Sequence, residues 1–141
     1  ICNLEALELA ISKVKNPITH GAVDENAKHL EQIQLEKQVV VHCTYLPTTW
    51  NGTRIRIWPK SLFLIDKTSG FRSKLLWFEN VTEYPLWKSL SLNIAISFTL
   101  VFESLPDNCT TFDLCEIIPE AGGFKVIGID RNNMDVYDTS L

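Results

Sequence analysis

Residues 97–116, SFTLVFESLPDNCTTFDLCE, contain two apolar segments separated by a polar break. Phe98, Leu100 and Phe102 occupy alternate positions, which is the period of a strand with one buried face. Leu-Pro-Asp-Asn at residues 105–108 interrupts the pattern, and the alternation then resumes. This pattern predicts a strand, a turn and a returning strand at the centre of an all-β domain.

The same two-residue period recurs along much of the chain, with turn residues between the apolar segments. The Asn51-Gly52 dipeptide is the strongest hairpin signal, because both residues tolerate positive φ. Residues 4–14 alternate as a strand would, although their Glu, Ala and Leu content also favours a helix, and residues 18–30 are predicted to be a surface connection. The predicted strands cover residues 4–14, 34–46, 54–58, 62–65, 74–79, 94–103, 112–117 and 124–129.

This spacing predicts an antiparallel immunoglobulin-like β-sandwich of about seven to nine strands. We expect residues 1–130 to form a single domain and residues 131–141 to form a polar C-terminal tail or linker. A chain of 141 residues buries about two-thirds of its unfolded surface. It therefore needs neither a metal nor a disulfide to fold, and no cofactor is expected.

The composition excludes several classes of partner. The net charge is −4, and no cluster of Lys and Arg is present, so binding to nucleic acid is not expected. No apolar run reaches the roughly 20 residues of a transmembrane helix. The first residues lack the basic start and the apolar core of a signal peptide. Cys2 follows Ile1 rather than a small residue, which argues against a lipid-modified cysteine.

The four cysteines, Cys2, Cys43, Cys109 and Cys115, contain no Cys-x-x-Cys pair. Cys109 and Cys115 flank a predicted turn and could form a disulfide across it. The alternative, which we favour, is that they are buried or half-buried free thiols. Cys43 is expected to be a small core residue of its strand.

Aromatic and basic residues give the most specific candidate site. Arg54, Arg56 and Trp58 share one face of a predicted strand, and Trp50 lies in the preceding turn. Arginine and tryptophan on one face can stack against a sugar ring or a side chain of a partner. The alternative is that Trp58 covers the arginine stems or completes the core.

Signals for catalysis are weaker. The spacing of His20, His29 and His42 fits no metal-ligand pattern. His42 and Cys43 are neighbours on a strand and should point to opposite faces, so they cannot act together. A hydrolase would need two carboxylates facing each other across a cleft, and the available carboxylates are those of Glu79, Glu83, Glu103, Asp113 and Glu116.

Several segments together resemble one family. FTLVFESLP at residues 98–106, FDLCE at 112–116 and FKVIGID at 124–130 resemble a domain of Bacteroides-type cell-envelope proteins. In some of those proteins this domain precedes a thioredoxin-like, thiol–disulfide oxidoreductase domain. The upstream segments VVVHCTYLP, RIRI and LFLIDKTSG are also similar, so that the resemblance covers residues 35–130.

The resemblance implies an exported accessory domain, periplasmic or at the cell surface, with an immunoglobulin-like fold. Residues 50–53 and 76–92 depart from the pattern. The sequence has no Cys-x-x-Cys and no thioredoxin-like domain after residue 130, so redox activity does not carry over.

Three hypotheses about function follow. The first is a non-catalytic interaction or spacer domain of an exported envelope protein, with another envelope protein or a glycan as its partner. The second is a carbohydrate- or peptide-binding module that uses Arg54, Arg56, Trp58 and Trp50. The third is part of a redox enzyme or a hydrolase. We expect a protein that is not an enzyme.

Overall fold

A computed structural model describes residues 37–141 of the protein. These residues are all-β, as predicted, and two short 3-10 turns lie at Trp50–Gly52 and Pro59–Ser61. The predictions for residues 4–14 and 18–30 lie outside the described residues. The strands are β1 (Val39–Tyr45), β2 (Arg54–Ile55), β3 (Leu62–Asp66), β4 (Arg72–Glu79), β5 (Lys88–Ser89), β6 (Ile96–Phe102), β7 (Thr111–Glu116), β8 (Lys125–Asp130) and β9 (Val136–Ser140).

Seven of these strands join one mixed sheet, in the order β8-β7-β3-β4-β6-β1-β9, while β2 and β5 pair separately. The sheet curls into a nearly barrel-like form. All neighbouring pairs in it are antiparallel except β1 and β9, which are parallel. The predicted immunoglobulin-like sandwich is therefore not confirmed, and the purely antiparallel arrangement is wrong at this edge.

Strand β1 shows how the sequence determines the burial pattern. Its sequence, VVVHCTY, begins with three β-branched residues, which suit an extended backbone. Val39, Val41 and Cys43 face the main core and are fully buried. Val40 points to the other face and packs with Val136 of β9 in a second, smaller apolar cluster. The strand is thus buried on both faces at its start, as expected for the interior of a sheet.

The predicted hairpin in residues 97–116 is only half correct. Both predicted strands exist, as β6 and β7, but they are not neighbours. Strand β6 pairs with β1 and β4, so both of its hydrogen-bonding edges are used. Strand β7 pairs with β3 and β8. The connection between them buries Leu105 and Cys109 in the core instead of forming a tight turn.

The Asn51-Gly52 dipeptide also does not form a two-residue hairpin. Residues Trp50–Gly52 form a 3-10 turn, and the following strand β2 pairs with β5 rather than with β1. The amide of Gly52 donates to the carbonyl oxygen of Thr49 at 3.0 Å. Tyr45 packs its hydroxyl against this turn and donates to the carbonyl oxygen of Gly52 at 3.0 Å. Contacts within the turn and to the end of β1 thus replace the expected strand pairing.

The end of the chain differs most from its prediction. Residues 136–140, predicted to lie in a polar tail or linker, form β9 and pair with β1 along its length. Tyr137 is buried and meets Phe112 edge to face, with 5.0 Å between ring centroids. Arg131 donates to Asp135 and to the carbonyl oxygen of Pro106. The adjacent residues Val136 and Tyr137, each buried in a different apolar cluster, and this ion pair explain why the segment joins the sheet.

None of the helical segments within residues 37–141 has the length and apolar character that a membrane-spanning helix needs. The main core fills the space enclosed by the sheet and includes Phe98, Phe102 and Phe112. Ile55 and Ile57 also belong to this core. They fix the position of the short β2 segment, which lies outside the main sheet and carries the candidate site.

Candidate binding cleft

Alternation along residues 54–58 determines which side chains face outward. Ile55 and Ile57 are 3% and 0% exposed, so the side chains between and beside them point away from the core. The backbone of Ile57 also holds the neighbouring loop. Its amide donates to the carbonyl oxygen of Thr82 at 2.9 Å, and its carbonyl oxygen accepts from the amide of Tyr84 at 2.7 Å. The loop at residues 84–87 is therefore held beside the outward face.

Side chains from these two segments stack in turn. The guanidinium of Arg54 lies 4.3 Å from the ring centroid of Trp87, and that of Arg56 lies 3.8 Å from the same ring. Arg56 also lies 4.6 Å from the ring of Tyr84, which in turn lies 4.0 Å from that of Trp58. We call this set, Arg54–Trp87–Arg56–Tyr84–Trp58, the arginine–aromatic ladder. Each cation–π contact in it contributes about 0.5–2 kcal/mol.

Arg56 is the fixed member of the ladder. Its side chain is only 11% exposed, and it forms an ion pair with Glu120 at 3.2 Å. It also donates to the carbonyl oxygen of Pro85 at 3.1 Å. Because its charge and several of its donors are already engaged within the protein, Arg56 mainly organises the ladder.

Glu116, the last residue of β7, connects the ladder to the main sheet. Its Oε2 atom accepts a hydrogen bond of 2.8 Å from the backbone amide of Trp58. Burial raises the pKa of this carboxyl group, and the bond from Trp58 opposes that rise only in part. A half-buried carboxylate thus lies at the base of the site, next to the ion pair of Arg56 and Glu120.

Four members of the ladder, Arg54, Arg56, Trp58 and Trp87, line a cleft with a volume of about 330 Å³. This volume is at the lower end of the range for small-molecule sites. The cleft is also lined by residues of the loop after β7, namely Ile118, Glu120, Ala121 and Gly122, and by Phe124 and Leu141. The residues of the cleft that carry charge or an indole ring are Arg54, Arg56, Trp58, Trp87, Glu116 and Glu120.

The structure places three of the four predicted site residues in the cleft and the fourth outside it. Arg54, Arg56 and Trp58 line the cleft together. Trp50 is 76% exposed and is not among the residues that line it. The 3-10 turn at Trp50–Gly52 points this indole to solvent, while its neighbours Asn51 and Gly52 reach the cleft. A role in binding stays a prediction for all four residues.

Three of the cleft residues that carry charge or an indole ring, Trp87, Glu116 and Glu120, were not among the four predicted binding residues. Trp87 lies in an aromatic loop that the sequence marks only as apolar, and Glu116 is one of several strand carboxylates. Glu120 lies after Pro119 in a polar loop and belongs to no sequence motif that would mark it as a site residue. Its contact with Arg56 joins residues 64 positions apart, which no local pattern can show.

The structure gives Cys43, Cys109 and Cys115 as free thiols, so the Cys109–Cys115 disulfide is absent. Cys109 is buried in the core, whereas Cys115 lies on the face of β7 opposite to Phe112 and Leu114. Burial raises the pKa of both thiols, and it raises the pKa of Cys43 to about 12. Cys43 is a small core residue, as predicted.

The histidines and Cys43 were the other candidates for catalysis or metal binding. His20 and His29 lie outside the described residues, and the Nδ1 atom of His42 lies 3.1 Å from the hydroxyl of Thr99. Between residues 37 and 141, no group of three or more His, Cys, Asp or Glu residues could hold a metal ion. Cys43 is in the core while His42 is on the other face of β1, as predicted.

Comparisons of the chain with protein-family models, with curated proteins and with solved structures found no match.

Proposed function

We propose that this protein is a non-catalytic binding domain of an exported bacterial envelope protein, and that its cleft binds a carbohydrate or a peptide. The observation that carries the proposal is the convergence of Arg54, Arg56, Trp58 and Trp87 on one cleft of about 330 Å³. Aromatic rings and a few oriented polar groups in a concave surface are typical of binding sites for small ligands.

Binding is favoured over hydrolysis because both carboxylates of the cleft are engaged within the protein. Glu116 accepts from the amide of Trp58, and Glu120 accepts from Arg56 through both of its oxygens. A general acid and a nucleophile would both need to reach the scissile bond. In this cleft the two carboxylates instead hold the ladder in place.

The envelope location is supported by the resemblance of residues 35–130 to Bacteroides-type envelope domains. Fractionation of cells of the source organism, with an antibody against this chain, tests it. We expect the protein in the periplasmic or surface fraction. Its recovery in the cytosol alone would contradict this part of the proposal.

Binding itself is tested with the full 141-residue chain on glycan and peptide arrays, followed by isothermal titration calorimetry of the hits. We expect a hit whose affinity falls at least tenfold in Trp58→Ala and less in Trp58→Phe, which keeps a ring against Tyr84. Trp77→Ala is the matched control, because Trp77 lies on β4 and does not line the cleft. Circular dichroism establishes that each variant is folded. Equal losses in Trp58→Ala and Trp77→Ala, or no hit on either array, would overturn the proposal.

A further inference from the structure

We propose that the ligand of the cleft is an acidic sugar, of the uronic-acid type, whose carboxylate pairs with Arg54. This inference rests on the proposed function and adds to it the chemical class of the ligand. It starts from the difference between the two arginines of the ladder.

Arg54 is the exposed arginine of the ladder. Its guanidinium lies on the ring of Trp87, but within residues 37–141 it has neither an ion pair nor a hydrogen bond with another residue. Arg56, two positions along, has both. Stacking occupies the face of a guanidinium and leaves its N–H groups free at the edge, in the fork that matches a carboxylate. Stacking on Trp87 thus holds the guanidinium of Arg54 in place at the cleft, and its N–H groups are available to bind an anion.

The other charges of the cleft limit what an anionic ligand can be. Glu120 is neutralised by Arg56, but Glu116 adds a second carboxylate at the base. A ligand with several negative charges would meet repulsion there, since like charges in a partly buried site oppose each other strongly. One carboxylate, placed at Arg54, fits this arrangement, and a polyacidic peptide does not.

A sugar ring accounts for the rest of the cleft. The indole of Trp58 offers an apolar surface against which the C–H face of a pyranose can pack. An ionised carboxylate has about four acceptor sites, so Glu116 and Glu120 can accept from sugar hydroxyl groups while they still hold Trp58 and Arg56. A volume of about 330 Å³ suits a ligand of one or two rings better than an extended chain. A neutral sugar would leave the guanidinium of Arg54 without its charged partner.

Calorimetry with matched pairs of sugars tests the inference: galacturonic acid and its disaccharide against galactose and its disaccharide, and the glucuronic pair likewise. An acidic peptide is the third arm. We expect an acidic sugar to bind at least tenfold more tightly than its neutral counterpart, with an affinity that decreases as salt is added.

Two variants assign that preference to Arg54. Arg54→Gln should lose the tenfold preference, and Arg54→Lys should keep part of it, because lysine retains the charge without the fork. Lys60→Gln is the matched control, since it removes the same charge from an exposed residue that does not line the cleft, and its affinity should stay within twofold of that of the unaltered chain.

The outcomes separate the two proposals. Equal affinity for acidic and neutral sugars, or an unchanged preference in Arg54→Gln, would overturn the acidic-sugar ligand and leave the binding domain standing. Binding of the acidic peptide alone would do the same. Failure to bind any sugar or peptide would overturn both.

Discussion

At the scale of single residues, alternate positions of residues 54–58 have two different roles: one set packs in the core and the other set faces the cleft. Ile55 and Ile57 anchor residues 54–58 in the core, while Arg54 and Arg56 stack on Trp87 outside it. Arg56 is then committed to Glu120, whereas Arg54 is not paired with any described residue. Two identical side chains, two positions apart, thus differ because, among residues 37–141, Arg56 but not Arg54 forms an ion pair with a carboxylate.

Asp66, at the end of β3, stabilises the turn that follows this strand. Its hydrogen bonds lead to a prediction about the stability of the protein at acid pH. Its carboxylate accepts from the amide of Thr68 at 3.0 Å and from the hydroxyl of Ser69 at 2.6 Å. These bonds, that of Ser69 first, lower the pKa of Asp66 below its usual 3.8. Asp66→Ala should lower the free energy of unfolding at pH 7 by about 1–3 kcal/mol, because the turn loses two hydrogen bonds to a charged acceptor.

The sign of the pH dependence follows from the lowered pKa. The ionised form is favoured in the folded state, so its contribution is complete above pH 3.8 and is lost as the pH falls through the folded pKa. Urea unfolding at pH 7 and at acid pH should therefore show a smaller difference between Asp66→Ala and the unaltered chain in acid. Asp107→Ala, on an exposed residue, is the control. A cost that does not change with pH would contradict this assignment.

Glu116 gives the opposite pH dependence. Burial raises its pKa above the usual 4.5, so the ionised form is disfavoured in the folded state. The ionised carboxylate of Glu116 therefore lowers the stability of the folded state at pH values above its folded-state pKa. This destabilisation disappears below the pKa of the unfolded state. Glu116→Gln keeps an acceptor for the amide of Trp58 and removes the charge, so it should raise the stability at pH 8 and give no gain at pH 4.

Chemical denaturation at these two pH values checks the expectation for Glu116. Glu83→Gln, which alters an exposed carboxylate outside the cleft, should change stability little at either pH. A loss of stability at pH 8 in Glu116→Gln would mean that its attraction to Arg56 outweighs the cost of burial.

At the scale of elements, strand β9 turns a predicted tail into part of the sheet. Tyr137 packs on Phe112, accepts from the amide of Asn132 at 3.0 Å and donates to Asp135 at 2.9 Å. Tyr137→Ala should therefore cost about 3–5 kcal/mol, as for other large-to-small changes of buried aromatic residues. Met134→Ala, three residues earlier and 60% exposed, should cost little. A frayed tail would give the same small effect for both variants, as measured by urea unfolding.

The same elements show what sequence patterns can and cannot determine. Alternation located β6 and β7 to within a few residues, because burial of one face is a local property of the sequence. It could not show that β4 rather than β7 lies beside β6, since strand pairing depends on residues distant in the chain. The segment at 131–141 was misjudged because its polar residues outnumber Val136 and Tyr137, although Arg131 and Asp135 neutralise each other.

The cleft was predictable to a similar extent. The alternation of apolar and other residues along residues 54–58 predicts that Arg54, Arg56 and Trp58 share one outward face. The structure brings these three side chains together in the cleft. Trp87 and Glu120 reach that face from loops more than 25 residues away, and Trp50 leaves it through the geometry of one 3-10 turn. A site assembled from three segments becomes visible only when the fold brings them together.

At the scale of the whole molecule, the sheet connects both ends of the described chain. Strand β1 lies between β6 and β9, so residues 39–45 pair with residues 96–102 and 136–140. The main core extends from Val39 to Tyr137 without a division. We therefore expect a single cooperative unfolding transition in which the cleft and the sheet are lost together.

Leu100→Ala tests this cooperativity at the centre of β6. Leu100 is 1% exposed, so the substitution should lower the free energy of unfolding by about 2–5 kcal/mol. Tryptophan fluorescence, which includes the signals of Trp58 and Trp87, and far-ultraviolet circular dichroism should give the same shifted midpoint. Leu86→Ala, at a residue that is 66% exposed, should leave both midpoints in place. Separate midpoints for the two probes would show that the β2–β5 segment with its ladder unfolds independently of the seven-stranded sheet.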